Sequence, residues 1–245
     1  MTIQAILFDY IGTLVEPNNY SMHESQLKLH RALCQEGLAT DVGEFIEAYG
    51  KAHERHRLVR YQKLKEVTNA IWVAEALNSI HCKVNIDDAR LKSALNVFFQ
   101  DFINSLKVRP PAKQLLKTAN MHCKVGLISN FTYAPAIYSS LRRHRIGCFF
   151  RAIIVSESVG WRKPHRIIFD AALRALQVKP EEAVFIGDSP LEDIDGAKKA
   201  GLRTIFVPSR FNTLRDVEES GVRSDLVFHD LAEIYKRLPE IANST

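Results

Sequence analysis

Short apolar runs separated by longer amphipathic stretches dominate the pattern of hydrophobic and polar positions along the chain. The clearest run covers residues 3–8 (IQAILF) and leads directly into Asp9. Similar runs follow at residues 124–129, 152–156, 183–186 and 204–207, with a weaker one at 226–228. Nearly continuous apolar runs of this length are typical of strands that are buried on both faces of a parallel sheet.

Helical periodicity fills most of the space between these runs. Amphipathic stretches occupy residues 135–145, 165–176, 191–200 and 231–237. Strands that alternate with helices of this length are typical of βαβ units, in which helices cover both faces of a parallel sheet. The pattern therefore predicts an α/β fold with a Rossmann-like parallel sheet.

The segment of residues 21–107 interrupts this alternation. It contains no convincing strand and is typical of about four amphipathic helices, for example over residues 67–80. An all-α segment of this length is large enough to pack as a separate domain. We therefore predict a discontinuous α/β core of residues 1–18 and 108–245, with an inserted all-α domain of residues 19–107.

The composition is that of an ordinary globular protein. The 245 residues are 46% hydrophobic and 25% charged, which excludes collagenous and intrinsically disordered chains. No apolar stretch approaches the ~18 residues that span a bilayer, and the first residues lack the basic and apolar regions of a signal peptide. We therefore expect a cytoplasmic protein with no membrane partner. The scattered cysteines, Cys34, Cys82, Cys123 and Cys148, are expected to be reduced and mostly buried.

The chain carries a mild positive charge that is concentrated in one segment. Its formal net charge is +5 at pH 7, and residues 51–66 contain six Lys or Arg against two Glu, a net charge of +4. This segment is interpreted either as a solvated helix face or as a basic surface that attracts a small anionic metabolite. Because the chain contains no recognised nucleic-acid-binding module, nucleic acid is not expected as a partner.

Polar residues follow several of the predicted strands at the point where each strand ends. Asp9 follows the first core strand, Ser129 and Asn130 end the second, and Asp188 follows the fourth. Lys163 comes after the third core strand, just before a predicted helix. Ligands of open parallel sheets bind outside the carboxyl ends of the strands, so we expect these side chains to meet in one pocket.

These residue types suit the transfer of a phosphoryl group. An aspartate such as Asp9 can act as a nucleophile and divide one displacement into two steps. Asp188 and Asp193, together with Asp9, supply the hard oxygen ligands that Mg²⁺ prefers. The Ser129 hydroxyl and the Lys163 ammonium group can hold the oxygens of a transferring phosphoryl group as negative charge develops.

Four segments that contain these residues resemble the four ordered motifs of the haloacid dehalogenase superfamily. They are FDYIGTL at 8–14, LISN at 127–130, KPHRIIF at 163–169 and GDSPLEDIDGAKKAG at 187–201. The inserted helical segment is similar to the cap domain of that superfamily, placed between the first and second motifs. The match covers the whole chain in the right order, and the G-D-x-x-x-x-D spacing is intact.

The resemblance implies a role for each of these positions. Asp9 would be the nucleophile, and Lys163 would neutralise charge during catalysis. The cofactor would be Mg²⁺, bound by Asp9, the backbone carbonyl of Ile11, Asp188 and Asp193. The phosphoryl group would be bound at Ser129, Asn130, Gly12 and Thr13. The cap would close over the pocket and choose the substrate.

One position departs from the superfamily's pattern. Phosphatases of the superfamily carry a second Asp two residues after the nucleophile, which protonates the leaving oxygen and then activates the attacking water. Here that position is Ile11. General acid–base assistance is worth about 10²–10⁴-fold in rate, so its loss is serious for poor leaving groups such as alkyl alcohols.

This departure leaves three functional alternatives open. The favoured one is a Mg²⁺-dependent phosphatase of a small phosphorylated metabolite, because the metal and phosphate residues are retained. Its substrate would have a good leaving group, such as an acyl or aryl phosphate, or the cap would supply an acid. The second alternative is a 2-haloacid dehalogenase or another hydrolase of a carbon–X bond, and the third is a weak or inactive phosphate-binding protein. The chain is expected to be a monomer or a homodimer.

Overall fold

The computed structural model describes residues 2–38 and 40–243 of the chain. In chain order the strands are β1 (Ala5–Phe8), β2 (Val15–Pro17), β3 (Leu106–Val108), β4 (Lys124–Ser129), β5 (Ala152–Val155), β6 (Ala183–Gly187), β7 (Arg203–Phe206) and β8 (Leu226–Val227). The helices are α1 (Met22–Gln35), α2 (Val42–Lys63), α3 (Asn69–Ser79), α4 (Ala89–Ser105), α5 (Ala112–His122), α6 (Ala134–His144), α7 (Ser156–Val159), α8 (Arg166–Leu176), α9 (Gly196–Lys199), α10 (Leu214–Glu219) and α11 (Leu231–Asn243). A π-helical turn, Pro190–Asp195, precedes α9, and 3-10 turns cover Gly147–Phe149 and Pro180–Glu182.

Six of the strands form one parallel sheet in the order β5-β4-β1-β6-β7-β8. The central strand is β1, where Phe8 pairs with Leu127 of β4 on one side and with Ile186 of β6 on the other. All four residues of β1 are buried, as expected of a strand that is covered on both faces. The α/β fold class and the six predicted core strands are therefore confirmed, with strand ends that differ by one or two residues.

Helices pack on both faces of this sheet in two hydrophobic clusters. Side chains alternate along a strand, and accordingly Ile6 and Phe8 belong to a cluster that includes residues of α5, α6 and α11. Ala5 and Leu7 belong to the other cluster, which includes residues of α8 and α9. With both faces covered, the carboxyl ends of the strands remain as the place where polar side chains can meet a ligand.

The helices α1 to α4 share a third hydrophobic cluster. Leu29, Phe45, Leu77 and Leu95, one from each helix, are fully buried in it. The antiparallel ribbon of β2 and β3 lies where the chain enters and leaves this helical segment. The prediction that residues 21–107 contain no strand is wrong at the last two of them, because a three-residue strand such as β3 shows too few alternations to be seen in a sequence.

The four cysteines differ in burial from what was predicted. All four cysteines are free, but Cys123 alone is buried, Cys34 and Cys82 are half-buried and Cys148 is exposed. The prediction of mostly buried thiols is therefore wrong, and Cys148 is exposed because it lies in a short 3-10 turn after α6.

Among the described residues, no helix has both the length and the apolar character needed to cross a membrane.

Candidate active site

Asp9 lies directly after β1 at the carboxyl edge of the sheet and is 6% exposed. Its Oδ1 accepts a hydrogen bond from Lys163 Nζ at 2.7 Å. Its Oδ2 is buried and accepts no hydrogen bond from any described residue. A carboxylate with one oxygen fixed by an ammonium group and the other free is arranged as a nucleophile requires.

Lys163 is a buried cation whose three N–H donors are all engaged. Its Nζ donates to Asp9 Oδ1 at 2.7 Å, to Asp193 Oδ1 at 2.6 Å and to the backbone carbonyl of Ile128 at 3.2 Å. The Asn130 side chain fixes its backbone, since it accepts from Lys163 N at 2.7 Å and donates to Lys163 O at 3.0 Å. Burial opposes the charge of Lys163, but Asp193 and Asp9 outweigh burial and raise the pKa of the ammonium group. Lys163 is therefore a fixed positive charge between two carboxylates.

Asp193 is placed by the π-helical turn before α9. Its Oδ2 accepts hydrogen bonds from the backbone N–H groups of Asp188 at 3.1 Å and Ser189 at 2.9 Å. This close approach requires a glycine before Asp188, because a Cβ on Gly187 would lie 2.4 Å from Asp193 Oδ2. The prediction of a single helix over residues 191–200 is therefore corrected: the chain first makes a wide π turn, a feature frequent at functional sites.

Asp188 is held by donors from two loops. Its Oδ2 accepts from Ser209 Oγ at 2.5 Å and from Asn212 Nδ2 at 3.1 Å, and its Oδ1 accepts from Thr13 Oγ1 at 3.4 Å. Gly12 has φ +103°, and a Cβ there would lie 2.5 Å from Asp188 Oδ2. Gly12 and Thr13, predicted to bind phosphate, thus contact Asp188 and do not line the cavity in front of Asp9. Ser209 and Asn212 lie in the loop after β7, where no periodicity or motif in the sequence indicated a functional role.

Asp9, Asp188 and Asp193 bring carboxylate oxygens within 4.8 Å of one another. Burial raises the pKa of Asp9 and of Asp188 to about 6 and that of Asp193 to about 7, against the opposing effect of the Lys163 charge. Three ionised carboxylates beside one ammonium group leave a net negative charge in a buried place. Because carboxylate oxygens are the ligands that Mg²⁺ prefers, the cluster fits a divalent cation.

A cavity of about 500 Å³ opens in front of Asp9, within the range of about 300–1,000 Å³ that is usual for small-molecule sites. On the sheet side it is lined by Asp9, Ile11, Ser129 and Asn130. Side chains of α2, α3 and α4 line the opposite wall, and many of them are aromatic. The structure thus brings Asp9, Ser129, Asn130 and Asp188, predicted from the sequence, to one cavity, with Lys163 hydrogen-bonded to Asp9.

The basic segment of residues 51–66 is largely neutralised by local ion pairs. The pairs are Lys51–Glu47, Arg55–Glu75, Arg57–Glu54 and Arg60–Glu66. Of the six Lys and Arg residues in this segment, all of them described, only Arg60 lines the cavity, and its Nε lies 2.6 Å from the fully buried carboxylate of Glu66. The interpretation as a solvated helix face therefore describes most of this segment, and the interpretation as a basic surface that attracts an anionic metabolite stays a prediction.

Arg162 and Glu192 form an ion pair on the cavity wall that sequence reasoning missed. Arg162 Nη2 donates to Glu192 Oε1 at 2.8 Å, and Asn130 Nδ2 donates to Glu192 Oε2 at 2.9 Å. The Arg162 guanidinium also lies over the ring of Tyr61, 4.5 Å from its centroid. The Asn130 amide is thus engaged with Lys163 and Glu192, which makes it a positioning group in this structure.

Known proteins resemble this chain in sequence and in fold. A glyceraldehyde 3-phosphate phosphatase from Methanopyrus kandleri is 31% identical over 214 residues, which cover 84% of each chain. A protein of the same name from Pyrococcus furiosus is 27% identical over 212 residues, which cover 83% of this chain and 80% of that one. The solved structure of a 2-haloacid dehalogenase from Pseudomonas syringae pv. Tomato DC3000 shares the fold, with a TM-score of 0.65 and 21% identity over 98% of this chain and 97% of that one. The family model for haloacid dehalogenase-like hydrolases matches residues 3–201. The chain therefore belongs to the haloacid dehalogenase-like hydrolases.

Proposed function

We propose that this hydrolase is a Mg²⁺-dependent phosphatase that acts on a small phosphorylated metabolite through a covalent aspartyl-phosphate at Asp9. The observation that carries the proposal is the free Oδ2 of Asp9, buried beside one ammonium group and two further carboxylates. The relatives named glyceraldehyde 3-phosphate phosphatase support phosphoryl chemistry.

Two displacements at phosphorus make up the reaction. In the first, Asp9 Oδ2 attacks phosphorus, the bond to the leaving oxygen breaks, and the leaving group departs with the electron pair. In the second, water attacks phosphorus, the Asp9 carboxylate re-forms, and inorganic phosphate and a proton are released. Lys163 favours the ionised form of Asp9 in both steps. The Ser129 hydroxyl, at the end of β4, lines the cavity and would bind the phosphoryl oxygens.

Asp9, Asp188, Asp193 and the backbone carbonyl of Ile11 would hold Mg²⁺ at this edge of the sheet. The ion supplies positive charge that screens the repulsion between the anionic nucleophile and the anionic substrate. Thr13, Ser209 and Asn212 orient Asp188 by hydrogen bonds. Such partners of a ligand side chain tune its position and its affinity for a metal.

We further propose that residues 19–107 form a cap domain on a discontinuous core of residues 1–18 and 108–245. The separate hydrophobic cluster of α1 to α4 supports this division. The β2–β3 ribbon supports it as well, because both chain crossings between the two parts run through this ribbon. Since helices of the cap face Asp9 across the cavity, the cap would choose the substrate.

The purified protein is expected to release phosphate from p-nitrophenyl phosphate when Mg²⁺ is present, and excess EDTA is expected to abolish the release. Activity that returns when Mg²⁺ is added back controls for irreversible unfolding. Incubation with 2-chloropropionate is expected to release no halide. Turnover that persists in EDTA contradicts the metal dependence, and halide release without phosphate release supports the dehalogenase alternative instead.

Mg²⁺ is expected to raise the melting temperature by more at pH 8 than at pH 5.5. A carboxylate must lose its proton before it can bind a metal ion, and the three carboxylates have pKa values of about 6, 6 and 7 in the metal-free protein. They are ionised at pH 8, whereas protons compete with the ion for them at pH 5.5. At pH 8, a Mg²⁺ concentration about 100 times its Kd stabilises by about 2.7 kcal/mol, or roughly 5–10 °C for a chain of this size.

Thermal unfolding with and without Mg²⁺ measures this shift directly. The Asp188→Asn variant is expected to lose it. The matched Asp195→Asn variant is expected to keep it, because the Asp195 carboxylate pairs with Lys199 at 2.6 Å and lies outside the cluster. A shift that is equal at both pH values, or equal in all three proteins, would show that the ion binds elsewhere.

A further inference from the structure

We infer that the cavity takes an aryl phosphate, the phosphate monoester of an aromatic alcohol, whose leaving group departs without a proton from the protein. This substrate class deepens the proposed phosphatase function and rests on it. Two independent features of the described residues support it. The side chains near the nucleophile offer no free acid to the leaving oxygen, and the wall that faces the nucleophile is aromatic.

Ile11, two residues after Asp9, lines the cavity with an aliphatic side chain. With Phe102 and Phe131 it packs against the hydrophobic cluster of the sheet, so this part of the wall is apolar. These side chains have no proton to give to a departing oxygen. An alkoxide, whose parent alcohol is a far weaker acid than a phenol, therefore leaves poorly. A phenolate leaves more readily because a phenol has a pKa of about 10.

The acidic groups and the lysine near Asp9 are already engaged. All three N–H donors of Lys163 are used by acceptors within the protein. Both carboxylate oxygens of Glu192 accept hydrogen bonds, one from Arg162 and one from Asn130. In the proposed function, the carboxylates at the strand ends hold the metal ion. None of these groups is therefore free to protonate a leaving oxygen.

Two titratable groups on the helical wall are poor acids. Burial lowers the pKa of His53, and the nearby Arg60 charge lowers it further, so the imidazole is neutral near pH 7. Burial raises the pKa of Tyr49 to about 12. His53 and Tyr49 are therefore poor proton donors at neutral pH. This agrees with the lack of a free acid near Asp9.

The wall contributed by α2 to α4 consists largely of aromatic rings. Those that line the cavity include Tyr49, Trp72, Phe98, Phe99 and Phe102, and Phe131 joins them from the core. The rings of Phe102 and Phe131 stack with centroids 5.3 Å apart, and Phe99 lies 5.6 Å from Phe131. Aromatic rings prefer offset-stacked or edge-to-face partners at such distances. A flat aromatic leaving group would find these partners here.

The rim of the cavity is also aromatic. Tyr61 and Phe211 line the cavity although they are 53% and 51% exposed. Exposed apolar surface beside a cavity indicates a binding surface. Arg60 and Arg162 on the wall pair with Glu66 and Glu192, while Arg162 Nε and Nη1 are buried and have no hydrogen-bond partner among the described residues.

An aryl phosphate satisfies both features, whereas the other esters satisfy one or neither. An acyl phosphate also leaves without a proton, but its acyl group offers no ring to the aromatic wall. An alkyl phosphate lacks the ring and needs an acid. With an aryl phosphate, Asp9 Oδ2 bonds to phosphorus as the aryl oxygen–phosphorus bond breaks, and the aryloxide keeps the electron pair and takes a proton from water.

The kcat/KM values of phenyl phosphate, benzyl phosphate and glyceraldehyde 3-phosphate, measured with Mg²⁺ present, test this substrate class. Phenyl and benzyl phosphate share a ring and differ in leaving-group basicity, whereas benzyl phosphate and glyceraldehyde 3-phosphate both have alkyl leaving groups and differ in the ring. We expect phenyl phosphate to exceed benzyl phosphate by about 10²-fold or more, the lower end of what a general acid supplies. Benzyl phosphate is expected to exceed glyceraldehyde 3-phosphate by about tenfold through contacts with the rings.

Different results would overturn the aryl phosphate inference alone and the proposed phosphatase function as a whole. If glyceraldehyde 3-phosphate is cleaved as well as phenyl phosphate or better, the aryl class is overturned and the phosphatase function stands. If none of the three esters releases phosphate, both are overturned.

The Phe102→Leu variant tests the aromatic wall separately. Loss of the ring is expected to raise KM for phenyl phosphate by about tenfold, with a smaller change in kcat and a smaller rise in KM for glyceraldehyde 3-phosphate, which has no ring. Met121→Leu, at a position on α5 that is 74% exposed, is the control variant. If Phe102→Leu weakens turnover of all three esters equally, the ring has only a structural role and the aromatic part of the inference is overturned.

Discussion

The Asp9→Asn variant is expected to lose phosphate release by roughly 10⁴-fold or more, as when the nucleophile is removed from other enzymes that form covalent intermediates. The amide oxygen of Asn carries no negative charge and cannot form the aspartyl-phosphate. Asn has nearly the size of Asp, and its oxygen can still accept the hydrogen bond that Lys163 Nζ donates to Asp9 Oδ1 at 2.7 Å. The variant should therefore fold while its chemistry is lost.

Acid quenching separates loss of chemistry from loss of structure. With a substrate that carries radioactive phosphorus, the quenched wild-type protein should retain label, and Asp9→Asn should retain none. Asp195→Asn makes the same chemical change at a carboxylate that pairs with Lys199, so it should keep both the label and the turnover. Label or turnover in Asp9→Asn within about tenfold of the wild type would show that another residue is the nucleophile.

The positions of Asp9 and Asp188 could be predicted from sequence because each follows a continuously buried strand. Such strands produce unbroken apolar runs, and their carboxyl ends meet at one edge of a parallel sheet. The observed register brings Phe8, just before Asp9, beside Ile186 of β6. The sheet side of the cavity thus follows from the topology, and the apolar runs in the sequence predict that topology.

The loop after β7 and the helical wall of the cavity could not be predicted in this way. Ser209 and Asn212 reach Asp188 from a loop without periodicity, and the loop's path depends on tertiary packing. The aromatic residues of α4 have the same spacing whether they form a core or line a cavity, and Phe98 and Phe99 do both. The excess charge of the segment 51–66 could not be interpreted without its partners, because Glu47 and Glu75 come from outside that segment.

The Ile11→Asp variant is expected to raise kcat/KM for glyceraldehyde 3-phosphate by about 10²-fold, within the range of a restored general acid. Ile11 lines the same cavity as Asp9 and is half-buried, and Asp is smaller than Ile, so the new side chain has room. A carboxyl group that is partly removed from water near a second carboxylate has a raised pKa. It would therefore hold a proton for the leaving oxygen near neutral pH, and the preference for phenyl over benzyl phosphate should shrink.

The same substitution is expected to change which step limits turnover. In the wild-type protein, the side chain at position 11 cannot activate the water that attacks the aspartyl-phosphate. A rapid-mixing experiment with p-nitrophenyl phosphate should therefore show a burst of nitrophenolate about equal to the amount of enzyme, and Ile11→Asp should reduce it by speeding the second step. Ile11→Asn is the matched control, since it has the size and polarity of Asp without a titratable proton, and it should gain nothing on the alkyl ester. Equal gains with Asp and Asn would mean that Ile11 limits the reaction by its bulk or apolarity, and the preference for aryl phosphates would then rest on the aromatic wall alone.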